Sequence, residues 1–130
     1  MDPFKTVGAV SWTELTTPDP AAAQSFYGAL FGWRFEAMPM PEGSYHVIKV
    51  SDTDAIGGVL ATPPQAQGMP PAWGSYVTVA DCDASAAKCT SLGGKVCVGP
   101  MDIPNVGRFA MLQDPQGATL FVIAYKPGPG

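Results

Sequence analysis

The chain has few charges and, in particular, few basic residues. Charged residues make up 14% of its 130 residues, Lys and Arg together number seven against eleven Asp and Glu, and the formal net charge is −4. The basic residues are scattered singly, so they form no stripe that would neutralise phosphates. We therefore expect no nucleic-acid partner. Because soluble domains usually carry about 25% charged residues, the low fraction predicts that a partner covers part of the surface.

Long apolar runs, paired cysteine motifs and cofactor motifs are also missing. No run reaches the roughly 18 apolar residues of a membrane span, and residues 1–5 (MDPFK) lack the layout of a signal peptide,. We expect no membrane association and a cytoplasmic location. Cys82, Cys89 and Cys97 follow no CxxC or ligand-like spacing,, which predicts reduced, small buried residues, with a reactive thiol as the alternative. No GxGxxG, GxxxxGK or GxSxG motif is present, so no cofactor is expected.

Glycine and proline, by contrast, are abundant, with 15 and 14 residues, and they divide the chain into short elements. A helix is predicted over 20–31. Asp19 can cap its N-terminus, Pro20 suits the first helical position, and Gly32 can adopt the left-handed conformation that ends a helix. A second helix is predicted to begin at Asp81 or Asp83 and to end near 92–94. Strands are predicted over 7–15, 33–38, 45–50, 56–60, 75–79, 95–98, 107–113 and 119–125.

The same order of predicted strands and helix occurs twice along the chain. With an offset of 62, Asp19 falls on Asp81 and Gly32 falls on Gly94. Repeats of this length indicate the whole fold rather than a local motif. We predict one domain over 1–130, built from βαβββ modules 7–61 and 73–125 and joined by a proline-rich connector, 62–72.

Several short phrases resemble the vicinal oxygen chelate superfamily, which includes glyoxalase I, bleomycin- and fosfomycin-resistance proteins and extradiol dioxygenases. They are Pro18-Asp19-Pro20, Phe26-Tyr27, Leu30-Phe31-Gly32-Trp33, Leu92-Gly93-Gly94 and Asp114-Pro115-Gln116-Gly117. The resemblance covers about residues 7–125. It implies an α+β fold whose tandem βαβββ modules form a curved mixed sheet, a half-barrel cup with helices packed outside. Asp102-Ile103-Pro104 with Gly107-Arg108 resembles the single-domain glyoxalase-like members.

The resemblance also implies where metal-dependent members place His, Gln or Glu ligands. Here those positions fall on Trp12, Ser75, Gly58 or Val59, and Phe121. None of these side chains suits zinc, nickel or iron, which take imidazole, carboxylate or thiolate donors. We therefore expect no metal.

Three polar residues are candidates for a site. Glu14 shares a strand face with Trp12. If that face is partly apolar, Glu14 can act as a general base; otherwise it is an edge or interface carboxylate paired with one of the seven cations. His46 is a candidate proton shuttle or ligand hydrogen-bond donor, because imidazole is the side chain that suits proton transfer at physiological pH, or else a partly exposed strand histidine. Arg108 can hold a carboxylate ligand or pair with Asp102 as a loop clasp.

Aromatic residues and methionine occupy the positions that the resemblance places inside the cup. Such a lining suits an apolar or aromatic small molecule, although the same side chains can fill the cup as ordinary core. The set consists of Trp12, Tyr45, Trp73, Tyr76, Met111 and Phe121.

Three functions remain open at this point. The first is metal-independent binding of a small, apolar or aromatic molecule. The second is an enzyme of the same fold, an isomerase, hydrolase or lyase of a small metabolite, that uses Glu14 or His46 as acid or base. The third is a metal-dependent lyase or dioxygenase. The resemblance further implies a homodimer, since relatives pair their modules within or between chains.

Overall fold

The computed structural model describes residues 1–39, 44–63, 68–104 and 106–126, and this part of the chain folds as βαβββ followed by βαβββ. Within these residues, no helix is both long and apolar enough to cross a membrane. The elements in chain order are β1 (Val10–Thr17), α1 (Pro20–Phe31), β2 (Arg34–Pro39), β3 (Ser44–Lys49), β4 (Ala55–Ala61), β5 (Ala72–Thr78), α2 (Cys82–Ser91), β6 (Lys95–Ile103), β7 (Gly107–Gln113) and β8 (Thr119–Tyr125).

Capping residues set the ends of the helices. The Asp19 carboxylate accepts a hydrogen bond from the Ala22 N–H at 3.1 Å, and Pro20 occupies the first turn, where its missing N–H costs nothing,. Gly32 ends α1 with φ 73°, in the left-handed region that glycine tolerates,. Helix α2 starts in the same way, because Asp81 accepts from the Ala84 N–H at 3.0 Å. The two helices therefore share the same start signal.

The chain divides into two compact units. The N-terminal unit is Trp12–Gly74, and the C-terminal unit combines Met1–Ser11 with Ser75–Gly130. In the N-terminal unit the strand order is β2-β3-β4-β1, with β1 and β4 parallel and the other neighbours antiparallel. In the C-terminal unit the order is β6-β7-β8-β5, with β5 and β8 parallel. Each unit thus has a mixed sheet of the same topology.

In the N-terminal unit, one face of the sheet packs against α1. Leu15, Ile48 and Val59 form the buried cluster there, and Ala23 and Tyr27 of α1 pack against it. Since side chains alternate along a strand, the residues next to these three point to the opposite side. We call that side the helix-free face of the N-terminal unit.

The C-terminal unit is arranged likewise. Ala110, Leu112 and Val122 pack with Cys82 and Ala86 of α2 in one buried cluster. The residues that alternate with them on β7 and β8 therefore form the helix-free face of the C-terminal unit.

The α+β class and the repeated βαβββ order are confirmed, while several predicted boundaries were wrong. The first strand covers Val10–Thr17 rather than 7–15, because the β-branched Thr16 and Thr17 continue it to Pro18,. Residues before it instead bond to Thr78, whose N–H donates to the Ala9 carbonyl. The sixth strand extends beyond 98 to Ile103, across a register shift between Val98 and Met101. The connector 62–72 includes residues 64–67, which lie outside the described part, and the module boundaries stay a prediction.

Candidate functional site

The helix-free face of the N-terminal unit carries three of the predicted site residues. Trp12 and Glu14 alternate with the buried Leu15 on β1, and Tyr45 lies on the opposite side of β3 from Ile48,. The Trp12 indole Nε1 donates a hydrogen bond to the Tyr45 hydroxyl at 2.8 Å. This face therefore brings Trp12, Glu14 and Tyr45 together.

Gly58 provides the space for the Tyr45 side chain. A Cβ atom at Gly58 would collide with the phenol ring and its hydroxyl, so the ring lies directly on the backbone of β4. Gly58 is the residue paired with Glu14 in the parallel register of β1 and β4. The phenol ring consequently lies beside the position of the carboxylate.

Glu14 is a buried acidic side chain, with 6% of its surface exposed. Burying a carboxylate is costly unless it is paired or hydrogen-bonded, so such a group is retained for stability, for binding or for proton transfer. Its neighbours Trp12 and Tyr45 combine apolar rings with polar tips. The arrangement places one buried carboxylate beside two aromatic side chains that carry polar groups.

The helix-free face of the C-terminal unit is built from aromatic rings. Tyr76 and Phe121 stack with ring centroids 4.4 Å apart and an interplanar angle of 8°. Phe109 tilts against both rings at 6.4 Å. Met111 is paired with Phe121 in the register of β7 and β8. Tyr76, Met111 and Phe121 were predicted as ligand-binding residues, whereas Phe109 was missed, although its alternation with Ala110 in a strand signals it.

The other predicted site residues lie on the helix-facing sides. His46 alternates with Tyr45 on β3 and is paired with the buried Val59, so the register places it on the face opposite to Glu14,. Trp73 donates its indole N–H to the Tyr27 hydroxyl of α1 at 3.1 Å and packs edge-on against Trp33. Neither residue is brought together with Trp12 and Glu14.

Arg108 forms an ion-pair clasp. Its guanidinium donates to both carboxylate oxygens of Asp83 in α2, at 2.7 and 3.2 Å, and to Asp102 at 3.2 Å. Hydrogen bonding from Arg108 lowers the pKa of Asp83, and the two carboxylates raise the pKa of Arg108. The geometry matches the loop clasp that was one of the two interpretations of this residue.

The residues at the positions implied for metal ligands do not fit a divalent ion. Trp12 and Phe121 carry no suitable donor, and Tyr45 covers Gly58,. The assignment of Ser75 was wrong, because Ser75 alternates with Tyr76 and lies on the other side of β5,. Among the described residues, no group of three or more His, Cys, Asp or Glu is close enough to hold a metal.

The three cysteines lie in different environments. Cys82 is buried in the core, and desolvation is the main cause that raises the pKa of its thiol, with Asp83 adding to the effect. Cys89 is half-buried, so it too departs from the prediction that all three are buried. Cys97 is exposed and contradicts that prediction outright. The reason is its place at a register shift in the outermost strand β6, next to Val96, which packs on the core.

Comparison with known proteins gives a family match and several relatives. A family model described as the Glyoxalase/Bleomycin resistance protein/Dioxygenase superfamily matches residues 9–122. The chain is 43% identical over 123 residues to CFP32 of Mycobacterium tuberculosis and of Mycobacterium bovis, named as a candidate glyoxylase, covering 94% of this chain and 45% of the relative. It is 33% identical over 127 residues to the anthracycline biosynthesis protein DnrV of Streptomyces peucetius, covering 88% and 46%. The chain thus spans about half the length of the curated relatives it matches.

Solved structures of the same fold include two methylmalonyl-CoA epimerases. The enzyme of Streptomyces coelicolor, in complex with 2-nitronate-propionyl-CoA, matches with a TM-score of 0.68 at 18% identity, covering 94% of this chain and 100% of that one. The enzyme of Mycobacterium tuberculosis matches with a TM-score of 0.66 at 13% identity, covering 95% and 92%. At these identities the likeness concerns the fold.

Proposed function

The chain belongs to the Glyoxalase/Bleomycin resistance protein/Dioxygenase superfamily, and on that basis we propose that it binds a small apolar or aromatic molecule without a metal ion. The observation that carries the proposal is the helix-free face of the N-terminal unit, where Trp12 and Tyr45 flank the buried Glu14. Aromatic walls supply burial and stacking, and a single carboxylate orients a polar group of the ligand.

The C-terminal unit supports the same class of ligand. Tyr76 and Phe121, with ring centroids 4.4 Å apart, line the helix-free face of this unit with an aromatic stack. Phe109 and Met111 extend it with apolar area. A ligand that is held by such a face gains affinity from buried area rather than from ionic contacts.

Native mass spectrometry on protein purified from its own host tests the proposal. We expect a retained small molecule that denaturation releases unchanged. Glu14→Gln keeps the size of the side chain and removes its charge, so it should weaken binding while the fold persists. Glu36→Gln is the matched control, since Glu36 is exposed and pairs with Lys49. Equal affinity of both variants for the recovered molecule would refute the role of Glu14.

An enzymatic role is the second candidate, and the burial of Glu14 favours it. A carboxylate surrounded by aromatic rings is the kind of group that serves as a general base in an isomerase, hydrolase or lyase. His46 does not support this role together with Glu14, because the two lie on opposite faces of the sheet. Conversion of the recovered molecule, lost in Glu14→Gln, would establish the enzyme instead of the binding protein.

We further propose that the protein is a homodimer. Helix α1 leaves large apolar side chains in solvent: Phe26 is 60% exposed, and Leu30 and Phe31 are each 57% exposed. Exposed apolar patches of this kind mark interaction surfaces. Sedimentation at micromolar concentration should give twice the 13.5 kDa of one chain. Phe26→Gln should produce monomer, whereas Val50→Gln, at a separate exposed valine, should not; a monomeric wild type would refute the proposal.

A cytoplasmic location is proposed as well. Its support is the set of free cysteines, Cys82, Cys89 and Cys97, since disulfides are rare in reducing compartments,. Cell fractionation of the native host tests this, and recovery of the protein outside the cytoplasm would contradict it.

A further inference from the structure

The hydrogen bond between Trp12 on β1 and Tyr45 on β3 crosses the intervening strand β4 near the register partner of Glu14. Trp12 lies two residues before Glu14 on β1. Tyr45 is level with Leu60, which is paired with Thr16, two residues after Glu14. The Tyr45 hydroxyl lies over Gly58, so the 2.8 Å bond from the Trp12 indole passes across β4 beside Glu14.

The backbone beneath that bridge is shaped for the phenol ring. Gly58, the register partner of Glu14, has no side chain, and a Cβ atom there would collide with the Tyr45 ring. Any residue other than glycine at this place would therefore lift the ring off the sheet. Glu14 itself keeps only 6% of its surface exposed.

From this geometry we infer that Tyr45 is a specificity-determining cover over Glu14. A molecule that reaches the carboxylate has to take the place of the phenol ring on Gly58, and the size of that place selects a flat fragment of about one aromatic ring. The inference deepens the proposed binding function and rests on it for its biological meaning. The cover itself can be tested without any ligand.

The test is covalent labelling of Glu14 with a water-soluble carbodiimide and glycine ethyl ester, followed by peptide mass spectrometry. The carbodiimide activates the carboxyl group, and the ester's amine then displaces the resulting urea to form an amide. Glu36, whose side chain is 63% exposed, serves as the internal reference for reagent activity. We expect slow labelling of Glu14 in the wild type.

Two independent variants should uncover Glu14. Tyr45→Ala removes the ring, and Gly58→Ala retains Tyr45 but pushes its ring away, so each should raise the labelling of Glu14 several-fold relative to Glu36. Tyr45→Phe keeps the ring and should stay near the wild-type rate. Met38→Ala is the matched control, because Met38 is the register partner of Tyr45 on β2 and is 47% exposed.

A small-molecule probe then tests the size of the vacated place. p-Cresol has the shape of the tyrosine side chain, so at millimolar concentration it should restore protection of Glu14 in Tyr45→Ala and change nothing in the wild type. If p-cresol gives no protection, the selection for a single ring is wrong.

The cover is refuted if folded Tyr45→Ala or Gly58→Ala labels Glu14 no faster than Met38→Ala does. Circular dichroism identifies a variant that fails to fold, and Tyr45→Leu then replaces Tyr45→Ala with the same expected rise. These results do not depend on the recovery of a ligand. Failure of the proposed binding function therefore leaves the labelling pattern intact, and a refuted cover leaves the binding proposal standing.

Discussion

The two units share one topology but differ at corresponding positions of their first strands. With the offset of 62 that relates the two halves of the chain, Glu14 corresponds to Tyr76 and Trp12 corresponds to Gly74. In the N-terminal unit Glu14 is paired with Gly58, and the Trp12–Tyr45 hydrogen bond lies over that glycine. In the C-terminal unit the buried Tyr76 stacks on Phe121.

This difference shows how one scaffold carries unequal chemistry in its two halves. The helix-facing cores need only apolar residues of suitable size, so both halves solve that requirement in the same way. The helix-free faces are not bound by the helix and are therefore open to specialisation. One face has a carboxylate with polar aromatic neighbours, and the other is an aromatic surface.

Thiol labelling gives the largest expected contrast and concerns the C-terminal unit alone. Cys97 is exposed and should react with Ellman's reagent in the native protein, whereas Cys82 is buried and has a raised thiol pKa. Because reaction of Cys82 requires opening of the core, we expect it to be at least about a hundredfold slower. Comparable rates in native Cys89→Ser/Cys97→Ser and Cys82→Ser/Cys89→Ser proteins, each with one remaining thiol, would show that the C-terminal core is open.

The aromatic stack should dominate the stability of the C-terminal unit. Tyr76 is 3% exposed, so Tyr76→Ala should lower the free energy of unfolding by about 3 kcal/mol, the usual cost of removing a large core side chain,. Tyr76→Phe keeps the ring on Phe121 and should cost much less. Urea unfolding monitored by circular dichroism measures both. A loss below about 1 kcal/mol for the alanine variant would contradict a packing role for Tyr76.

The Trp12–Tyr45 hydrogen bond of the N-terminal unit should contribute less to stability than the aromatic stack of the C-terminal unit. Tyr45→Phe removes the acceptor of the Trp12 indole and should cost about 1 kcal/mol,. Tyr27→Phe is the matched control on the helix-facing side, since it removes the acceptor of the more exposed Trp73 indole. A smaller loss is expected there, because water can replace that partner. The reverse order in urea unfolding would contradict the difference between the two faces.

Loss of the Arg108 ion pairs should have the smallest effect on stability. The lowered pKa of Asp83 determines how that effect changes with pH. The pKa of Asp83 is lowered in the folded protein, so its stabilising contribution is present above the unfolded value of about 4 and is lost as the pH falls below it,. Arg108→Gln should lower the melting temperature slightly at neutral pH and have a vanishing effect in acid. Arg34→Gln, which breaks a single contact to Asp52, is the control in the N-terminal unit. A deficit of Arg108→Gln that grows in acid would contradict this sign.

The elements that could be predicted from the sequence are those with local signals. Helix α1 was predicted over its observed length because Asp19, Pro20 and Gly32 act through the backbone at its two ends,. The sixth strand was predicted to stop at 98, before Gly99 and Pro100. The strand continues past them because its pairing with β7 resumes at Met101.

The candidate site was predictable only where strand alternation sufficed. Trp12 and Glu14 share a face by spacing alone, and the structure places them so. Ser75 was assigned by counting back from the second helix, and a miscount of one residue reverses the face of a strand residue. The place of Tyr45 on Gly58 depends on pairing between separate strands, which no local pattern contains.

Ligand binding on the helix-free face with Glu14 can be tested directly through the chain's three tryptophans. Trp12 lies on that face, whereas Trp33 and Trp73 lie beside Tyr27 of α1. A proton–nitrogen NMR spectrum, assigned with Trp→Phe variants, resolves the three indole N–H signals during titration with single-ring and two-ring aromatic molecules. We expect that a binding molecule shifts the Trp12 signal and leaves the other two in place. Shifts of Trp33 and Trp73 with an unchanged Trp12 would contradict this expectation and would move the site to the α1 side.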